Sequence, residues 1–341
     1  MTSTIRHWRQ AGVGRASLSF VTAPKPIPYA GEVLVKVTAV SLNYRDKLVL
    51  EGSVGLTPRD PIIPATDFAG IVEDVGDGVT NLRRGDRVVS TIAPEWCDGT
   101  VPTPYLPLAP SFRSSVTPGA LAEYVVRPAH ALARSPSTLD DVEASTLPIA
   151  ALTAWYALVE RGRLKPGDSV LIHGTGGVAL FGLQFSKLAG ASVIITSSFD
   201  GKLAAAQRLG ADHLLKRDTP DLASEVRRLT GGRGADHVLE TIGGGNFALS
   251  LDAAAPGGRI SLVGQIAGSD LTGNGLHLAR KRLVVEGIAV GHRRAYDDML
   301  RAIDTAHLKP VIDSRYPLAD LPAALDRLDE GPFGKIVIEL A

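Results

Sequence analysis

A chain of 341 residues is long enough for two domains and a sizeable core. Its 36 basic and 36 acidic residues leave no net charge, which gives no reason to expect nucleic acid or an anionic membrane as a partner. The single cysteine, Cys97, excludes an internal disulfide and cannot by itself form a structural zinc site. No apolar run approaches the ~18 residues of a membrane span. The first ten residues lack the apolar core of a secretory signal, so a cytoplasmic protein is expected.

In chain order, residues 32–40 alternate and are β-branched, predicting a strand. Asn43 stands near the start of a short helix running from Tyr44 to Leu50. Pro58, Pro61 and Pro64 punctuate a loop before a strand over 68–75, and short strands between turns continue to about Ile92. The stretch 93–119 contains six prolines and reads as a long ordered loop, a class that is more often functional than decorative. Residues 121–126 are strand-like again, and 139–161 read as largely helical.

The stretch from Ser169 onward organises the rest. Residues 166–168 make a turn, and 169–172 form a short buried strand. Gly174, Gly176 and Ala179 then follow with the spacing G-x-G-x-x-A. Val178, Phe181, Phe185 and Leu188 recur at helical spacing until Gly190, and residues 192–195 give a second strand. The unit has the ~30 residues of a βαβ dinucleotide fingerprint. Gly174 permits the tight turn, and Gly176 lets backbone approach a pyrophosphate. The small Ala179 allows close helix–sheet packing, while free N–H groups and the helix dipole favour the anion. Gly174, Thr175, Gly176, Gly177 and Val178 are therefore candidate cofactor contacts.

The choice of dinucleotide falls at the end of the second strand. A site for NAD usually places a carboxylate there for the ribose 2′-OH. Here the residues are Thr196, Ser197 and Ser198, with Lys202 shortly after and Lys216 and Arg217 at the end of the next strand. Hydroxyls and cations suit a 2′-phosphate, so NADPH is expected over NADH. Asp200 argues the other way, although its place suits a helix N-cap.

The α/β alternation continues with strands over 213–215, 237–241, 259–263 and 283–290, and with helices over about 220–229 and 246–254. Six parallel strands with interleaved helices make a doubly wound α/β sheet, which binds ligands at the carboxyl ends of its strands. Gly243, Val263 and Gly264 sit at two such ends, where backbone can approach a nicotinamide ring; ordinary turns are the plainer reading. The last strand leaves an edge open to pairing with a second copy, giving a homodimer. Helices over 295–306 and 318–329 and a strand over 335–340 close the chain.

These features together resemble the medium-chain dehydrogenase/reductase superfamily, in particular its zinc-independent quinone-oxidoreductase-like branch. The resemblance spans nearly the whole length. It is carried by residues 41–46, 85–88, Leu147-Pro148 with 152–155, 173–178, 256–260 and 333–337. It implies a β-rich groES-like catalytic domain over 1–127 and 293–341, a Rossmann domain over 128–292 inserted into it, and an active site at their junction. Zinc-dependent relatives carry Cys where Asn43 stands and Gly-His-Glu near residues 64–67, and they have a four-cysteine lobe; none of these is present here. No catalytic metal is therefore expected.

Without a Lewis acid, charge must pass to hydrogen-bond donors or be delocalised by the substrate itself. A quinone or an α,β-unsaturated carbonyl does the latter. Asn43 and Tyr44 are the donors expected at its oxygen, with the proton coming from water or Tyr44. The family position also puts Thr153 and Lys335 near the cofactor. Plainer readings remain open: Asn43 as a helix cap, Tyr44 as a core residue, Asp46 as a surface charge, Asp67 as a turn former and His173 as a packed core histidine. Trp96 and Arg113 are further candidates for the pocket wall. Two other functions also stay open, a zinc-free alcohol-dehydrogenase-like carbonyl reductase and an NADPH-binding sensor with little turnover.

Overall fold

The computed structural model describes residues 3–53, 61–102 and 119–340. Two units divide the chain, Met1–Ile149 with His292–Ala341, and Ala150–Gly291. The first unit begins with strands β1 (Thr4–Gln10), β2 (Leu18–Pro24) and β3 (Glu32–Leu42), helix α1 (Tyr44–Leu50), and strands β4 (Asp67–Val75) and β5 (Arg87–Ser90). Strands β6 (Tyr124–Pro128) and β7 (Leu132–Arg134) and helix α2 (Asp141–Ala144) follow. The second unit runs α3 (Leu152–Trp155), β8 (Ser169–His173), α4 (Gly177–Leu188), β9 (Ser192–Ser197), α5 (Asp200–Arg208) and β10 (His213–Lys216). It continues with α6 (Leu222–Leu229), β11 (Ala235–Glu240), α7 (Asn246–Ala253), β12 (Ala254–Leu262), α8 (Gly275–Arg280) and β13 (Val284–Gly287). Helix α9 (Arg293–Ala306), strand β14 (Ile312–Pro317), helix α10 (Leu321–Asp329) and strand β15 (Lys335–Glu339) then complete the first unit.

Strand β3 is the spine of the first unit. It pairs antiparallel with β4, β6 and β15, in a sheet of order β14-β15-β3-β4-β5-β7. Its alternating Val33, Val35 and Val37, with Val40 and Leu42, join Phe68 and Val88 in one apolar core. The C-terminal strand β15 fills the slot beside β3, Ile336 facing Leu42.

The second unit is a six-stranded parallel sheet of order β10-β9-β8-β11-β12-β13. The order reverses between β8 and β11, which makes the carboxyl ends of these two neighbours the switch point of a doubly wound fold. Strands buried on both faces read as continuous apolar runs, as in Val170, Leu171 and Ile172, all fully buried. The expected fold class, a Rossmann sheet inserted between two parts of a β-rich domain, is the one observed.

Several boundaries differ from the sequence expectation. The first unit extends to Ile149 rather than 127, and its second part begins at His292 rather than 293. The extension has a cause: β7 pairs with β5, and the Asp141 carboxylate accepts from Thr38 Oγ1 and Arg87 Nε, both at 2.8 Å. The helix expected over 139–161 is broken into α2, α3 and π-helical turns at Leu147–Ala151 and Tyr156–Glu160. Pro148 has no N–H to continue the ladder. The 283–290 strand shortens to β13, while β1, β2, β14 and α8 carry no strong periodicity and are additions. Asp200 is the first residue of α5 rather than its cap, which is Phe199. Residue 58, Arg113 and most of the proline-rich loop lie outside the described residues.

Leu171, at the centre of β8, packs in the apolar cluster beneath α6 and α7. Truncation to Ala is expected to cost about 2–5 kcal/mol, read as a lower denaturant midpoint of unfolding.

Candidate functional site

In the first unit the register of β15 on β3 determines what meets what. Ile336 opposite Leu42 places Lys335 where β3 gives way to α1. The Lys335 ammonium donates to the Leu42 carbonyl at 2.7 Å and to Asn43 Oδ1 at 2.6 Å. Asn43 Nδ2 in turn donates to Asp67 Oδ2 at 2.9 Å, which also accepts from the Ile149 N–H at 3.1 Å. Asp67 reaches this point because it starts β4 opposite Ser41. Asp46 in the first turn of α1 accepts from the Asn43 N–H at 2.8 Å, one half of a capping box. Asn43, Asp46, Asp67 and Lys335 are all buried.

Burying these charges shifts them towards neutrality. Burial lifts the Asp67 carboxyl to about 6, against the opposing pull of the Lys335 charge and the Asn43 hydrogen bond. Burial likewise raises Asp46, against Arg45, the Asn43 N–H and Lys335. It lowers Lys335, with Asp67 and Asp46 holding the ammonium back. Two plainer readings fall here: Asp46 is no surface charge, and Tyr44, 36 % exposed at the start of α1, is no core residue. The amide of Asn43 is engaged by Asp67 and Lys335, so the residue does more than cap its helix.

No local pattern marks Tyr296 of α9. It is buried, its hydroxyl has no hydrogen-bond partner among the described residues, and burial followed by the Asp67 charge pushes its phenol well above the usual value. Trp96 is also buried. It packs edge-on against His292 and donates from its indole to the Gly99 carbonyl at 3.0 Å. A pocket near the cluster is lined by Arg45, Asp46, Ile62, Ile63, Pro64 and Thr66.

In the second unit the glycine fingerprint takes the expected shape. Gly174 has a φ of +85°, and Gly176 caps α4 in extended conformation with no side chain satisfying the helix end. The first intrahelical bond runs from the Leu180 N–H to the Gly176 carbonyl, leaving the N–H groups of Gly177, Val178 and Ala179 as the orphan donors of a helix N-terminus. A Cβ at Gly176 would point into open space, room that a ligand can use. The close approach of helix to sheet is made by Gly182, whose missing Cβ would meet Leu239 at 2.5 Å. These residues fit a pyrophosphate.

Ser197 at the end of β9 is buried and accepts from the Phe199 N–H at 3.2 Å, while Ser198 is exposed. Lys202 lies over the Phe199 ring, 4.9 Å from its centroid. Lys216 pairs with Asp200 at 2.9 Å, so that carboxylate is already matched. Arg217 is exposed, has no ion pair among the described residues, and its N–H bonds the Ser197 carbonyl at 3.1 Å. Hydroxyls and cations thus stand at the ends of the neighbouring strands β9 and β10 and in the first turn of α5.

Gly243 and Gly264 are demanded by this chain itself. A Cβ on Gly264 would sit 1.7 Å from the Thr241 carbonyl oxygen, and one on Gly243 would sit 2.6 Å from that of Gly264. The N–H groups of Val263 and Gly264 both reach the Glu240 carbonyl. Thr153 is buried on α3. Lys335, expected near the cofactor by family position, uses two of its three donors within the first unit, on Leu42 and Asn43.

A zinc site needs several thiolate, imidazole or carboxylate ligands converging on one point. Among the described residues no three His, Cys, Asp or Glu side chains form such a group. The Asn43 amide is flanked by the Lys335 ammonium, a poor neighbour for a second cation.

The raised carboxyl of Asp67 has a consequence for stability. A folded value near 6 against 3.8 unfolded favours the fold below about pH 4, and that contribution is lost as pH rises through 6. Relative to Asp67→Asn, the wild type is expected to lose about 2 kcal/mol between pH 4 and 7, measured by denaturant unfolding at both values.

Residues 29–137 match the alcohol dehydrogenase GroES-like domain family, and residues 177–305 match the zinc-binding dehydrogenase family. A solved structure described as a putative alcohol dehydrogenase from Sinorhizobium meliloti 1021 is 49% identical, with a TM-score of 0.94 and 99% of each chain covered. The quinone oxidoreductase of Homo sapiens is 26% identical over 92% of this chain and 91% of its own. A mycobacterial protein solved in complex with NADPH is 28% identical, with a TM-score of 0.81, covering 98% of this chain and 99% of that one. The chain belongs to the medium-chain dehydrogenase/reductase superfamily and is an oxidoreductase of that family.

Proposed function

We propose that this protein is a zinc-independent, NADPH-dependent reductase of quinones or α,β-unsaturated carbonyls, acting in the cytoplasm as a homodimer. The observation that carries the reading is the Asn43 amide held between the Lys335 ammonium and the Asp67 carboxylate. One N–H of Nδ2 is used on Asp67, which leaves the other for a substrate oxygen, and the cation on Oδ1 polarises the amide toward stronger donation. The Tyr44 phenol at the start of α1 is exposed enough to give a second bond. Such donors suit an oxygen whose charge the substrate already spreads by conjugation.

NADPH, when bound, supplies a hydride to the conjugated carbon, and the enolate is protonated by water or the Tyr44 hydroxyl. The fingerprint residues Gly174, Thr175, Gly176, Gly177 and Val178 hold the pyrophosphate in this proposal. Ser197, Ser198, Lys202 and Arg217 hold the 2′-phosphate, while Thr153, Gly243, Val263, Gly264 and Lys335 complete the cofactor set. The NADPH bound to the mycobacterial homologue supports the cofactor, and the human quinone oxidoreductase supports the substrate class. The edge strand β13 supports the dimer.

The deciding experiment is optical assay of NADPH oxidation with quinones, enones and simple ketones, with and without a chelator. Chelator-resistant turnover confined to conjugated acceptors is expected. Turnover of simple ketones would assign the enzyme to the carbonyl reductases, and saturable NADPH binding with no turnover would favour a sensor. Ser197→Asp is expected to shift preference from NADPH towards NADH by about tenfold or more, since a carboxylate replaces a donor to the 2′-phosphate. Tyr44→Phe is expected to lower kcat about tenfold or more while leaving the NADPH dissociation constant within about twofold. Full activity of that variant would remove Tyr44 from the mechanism.

A further inference from the structure

Beneath the two glycine loops of the second unit lies a row of buried polar residues that the proposed chemistry does not use. Thr196, His173 and Glu240 stand side by side at the ends of β9, β8 and β11, and Ser250 of α7 reaches them from the layer beside the sheet. All four are at most 1 % exposed. Glu240 Oε1 accepts from the N–H groups of Ile242 at 2.8 Å and Gly243 at 3.0 Å. Its Oε2 accepts from Asn246 Nδ2 at 2.7 Å and Ser250 Oγ at 2.5 Å. His173 Nε2 lies 3.1 Å from Ser250 Oγ, and Nδ1 lies 3.3 Å from Thr196 Oγ1. The Gly174 N–H donates to the Thr196 carbonyl at 3.0 Å and comes within 3.4 Å of its hydroxyl.

The direction of each bond follows from what each group can give. Four donors around Glu240 leave its carboxylate as acceptor only. Ser250 has one hydroxyl proton and gives it to Glu240, so toward His173 it accepts, and the imidazole proton sits on Nε2. Nδ1 of the neutral ring then accepts from the Thr196 hydroxyl. One polarised path runs from the Gly174 N–H through Thr196, His173, Ser250 and Glu240 to the N–H of Gly243. The Thr241 hydroxyl, bonded to the His173 carbonyl, ties the two loops a second time.

We infer that Thr196, His173, Ser250 and Glu240 are positioning residues that hold the Gly174 and Gly243 loops in register for the dinucleotide, with His173 fixed as the neutral Nε2–H tautomer. This rests on the dinucleotide reading of those loops. The electrostatics agree. Burial holds the His173 ring below the ordinary histidine value, with Glu240 pulling it up and Arg217 pushing it further down. The Glu240 carboxyl lies below its usual value although burial opposes ionisation, because Ser250 and the N–H groups of Gly243 and Ile242 donate to its charged form.

Glu240→Gln tests the polarity with almost no change of shape. Its Oε1 can still take the Ile242 and Gly243 N–H groups, so its amide nitrogen faces Asn246 and Ser250; the Asn246 amide flips to accept through Oδ1, and Ser250 must turn to accept. Ser250 then donates to His173 Nε2, and the imidazole proton moves to Nδ1. Nitrogen-15 NMR of the imidazole, with and without NADPH, is expected to show the Nε2–H tautomer in the wild type and Nδ1–H in Glu240→Gln. NADPH should bind about tenfold more weakly to that variant, with kcat at saturating NADPH and KM for the acceptor within about twofold. Thr196→Val, which removes the hydroxyl at the other end, should keep the Nε2–H tautomer and still weaken NADPH severalfold.

An Nδ1–H tautomer in the wild type, an unmoved tautomer in Glu240→Gln, or unchanged NADPH affinity in both variants would overturn the inference. A wild type that binds neither NADPH nor NADH would instead sink the dinucleotide reading, and the positioning role with it.

Discussion

The pairing of β15 with β3 is the constraint on which the candidate active site depends. Residues at opposite ends of the chain become neighbours only because the last strand fills the slot beside β3, with Ile336 facing Leu42. One residue further along, Lys335 is carried to the Asn43 amide, and β4 on the other side of β3 brings Asp67 to the same point. Backbone ladders set this geometry. A register slip of one residue would turn the Lys335 side chain to the other face of the sheet.

Such a cluster is expensive to bury. An ammonium and two carboxylates out of water lose hydration that mutual attraction only partly replaces, so each is driven toward its neutral form. The fold keeps them together by satisfying nearly every polar atom: the carbonyl of Leu42 for Lys335, the N–H of Ile149 for Asp67, the N–H of Asn43 for Asp46. Strained charge at a buried position, held by fixed dipoles, is the condition under which a neutral amide becomes a strong directed donor.

The second unit handles buried charge differently. Glu240 is saturated by four donors and sits at the switch point of the sheet, where β8 and β11 run side by side. The same parallel order that creates an anion-binding loop at Gly174 also aligns Thr196, His173 and Glu240 in one row. Three adjacent parallel strands ending at the same level can hardly avoid placing their last residues together, and side chains able to give and accept hydrogen bonds make that junction rigid.

Much of this was legible in the residues themselves. The G-x-G-x-x-A spacing, the apolar runs of β8 and β9 and the alternation after them announced a doubly wound sheet, because periodicity and glycine φ are local properties. Asn43 and Tyr44 were marked mainly by the family resemblance at the start of a short helix, and Ser197 and Ser198 at the end of β9 by their chemistry. What stayed hidden was non-local. No pattern near Asp46 shows that it is buried, none near Tyr296 that its hydroxyl is orphaned, and none near Glu240 that it meets His173 and Ser250. The break at Pro148 was visible as a proline, but its outcome depended on what 128–149 packs against. The sequence by itself determined the elements, the glycine loop and the candidate donors. Only the tertiary structure decided which charges share a site, because strand register and sheet order bring together residues that lie far apart in the chain.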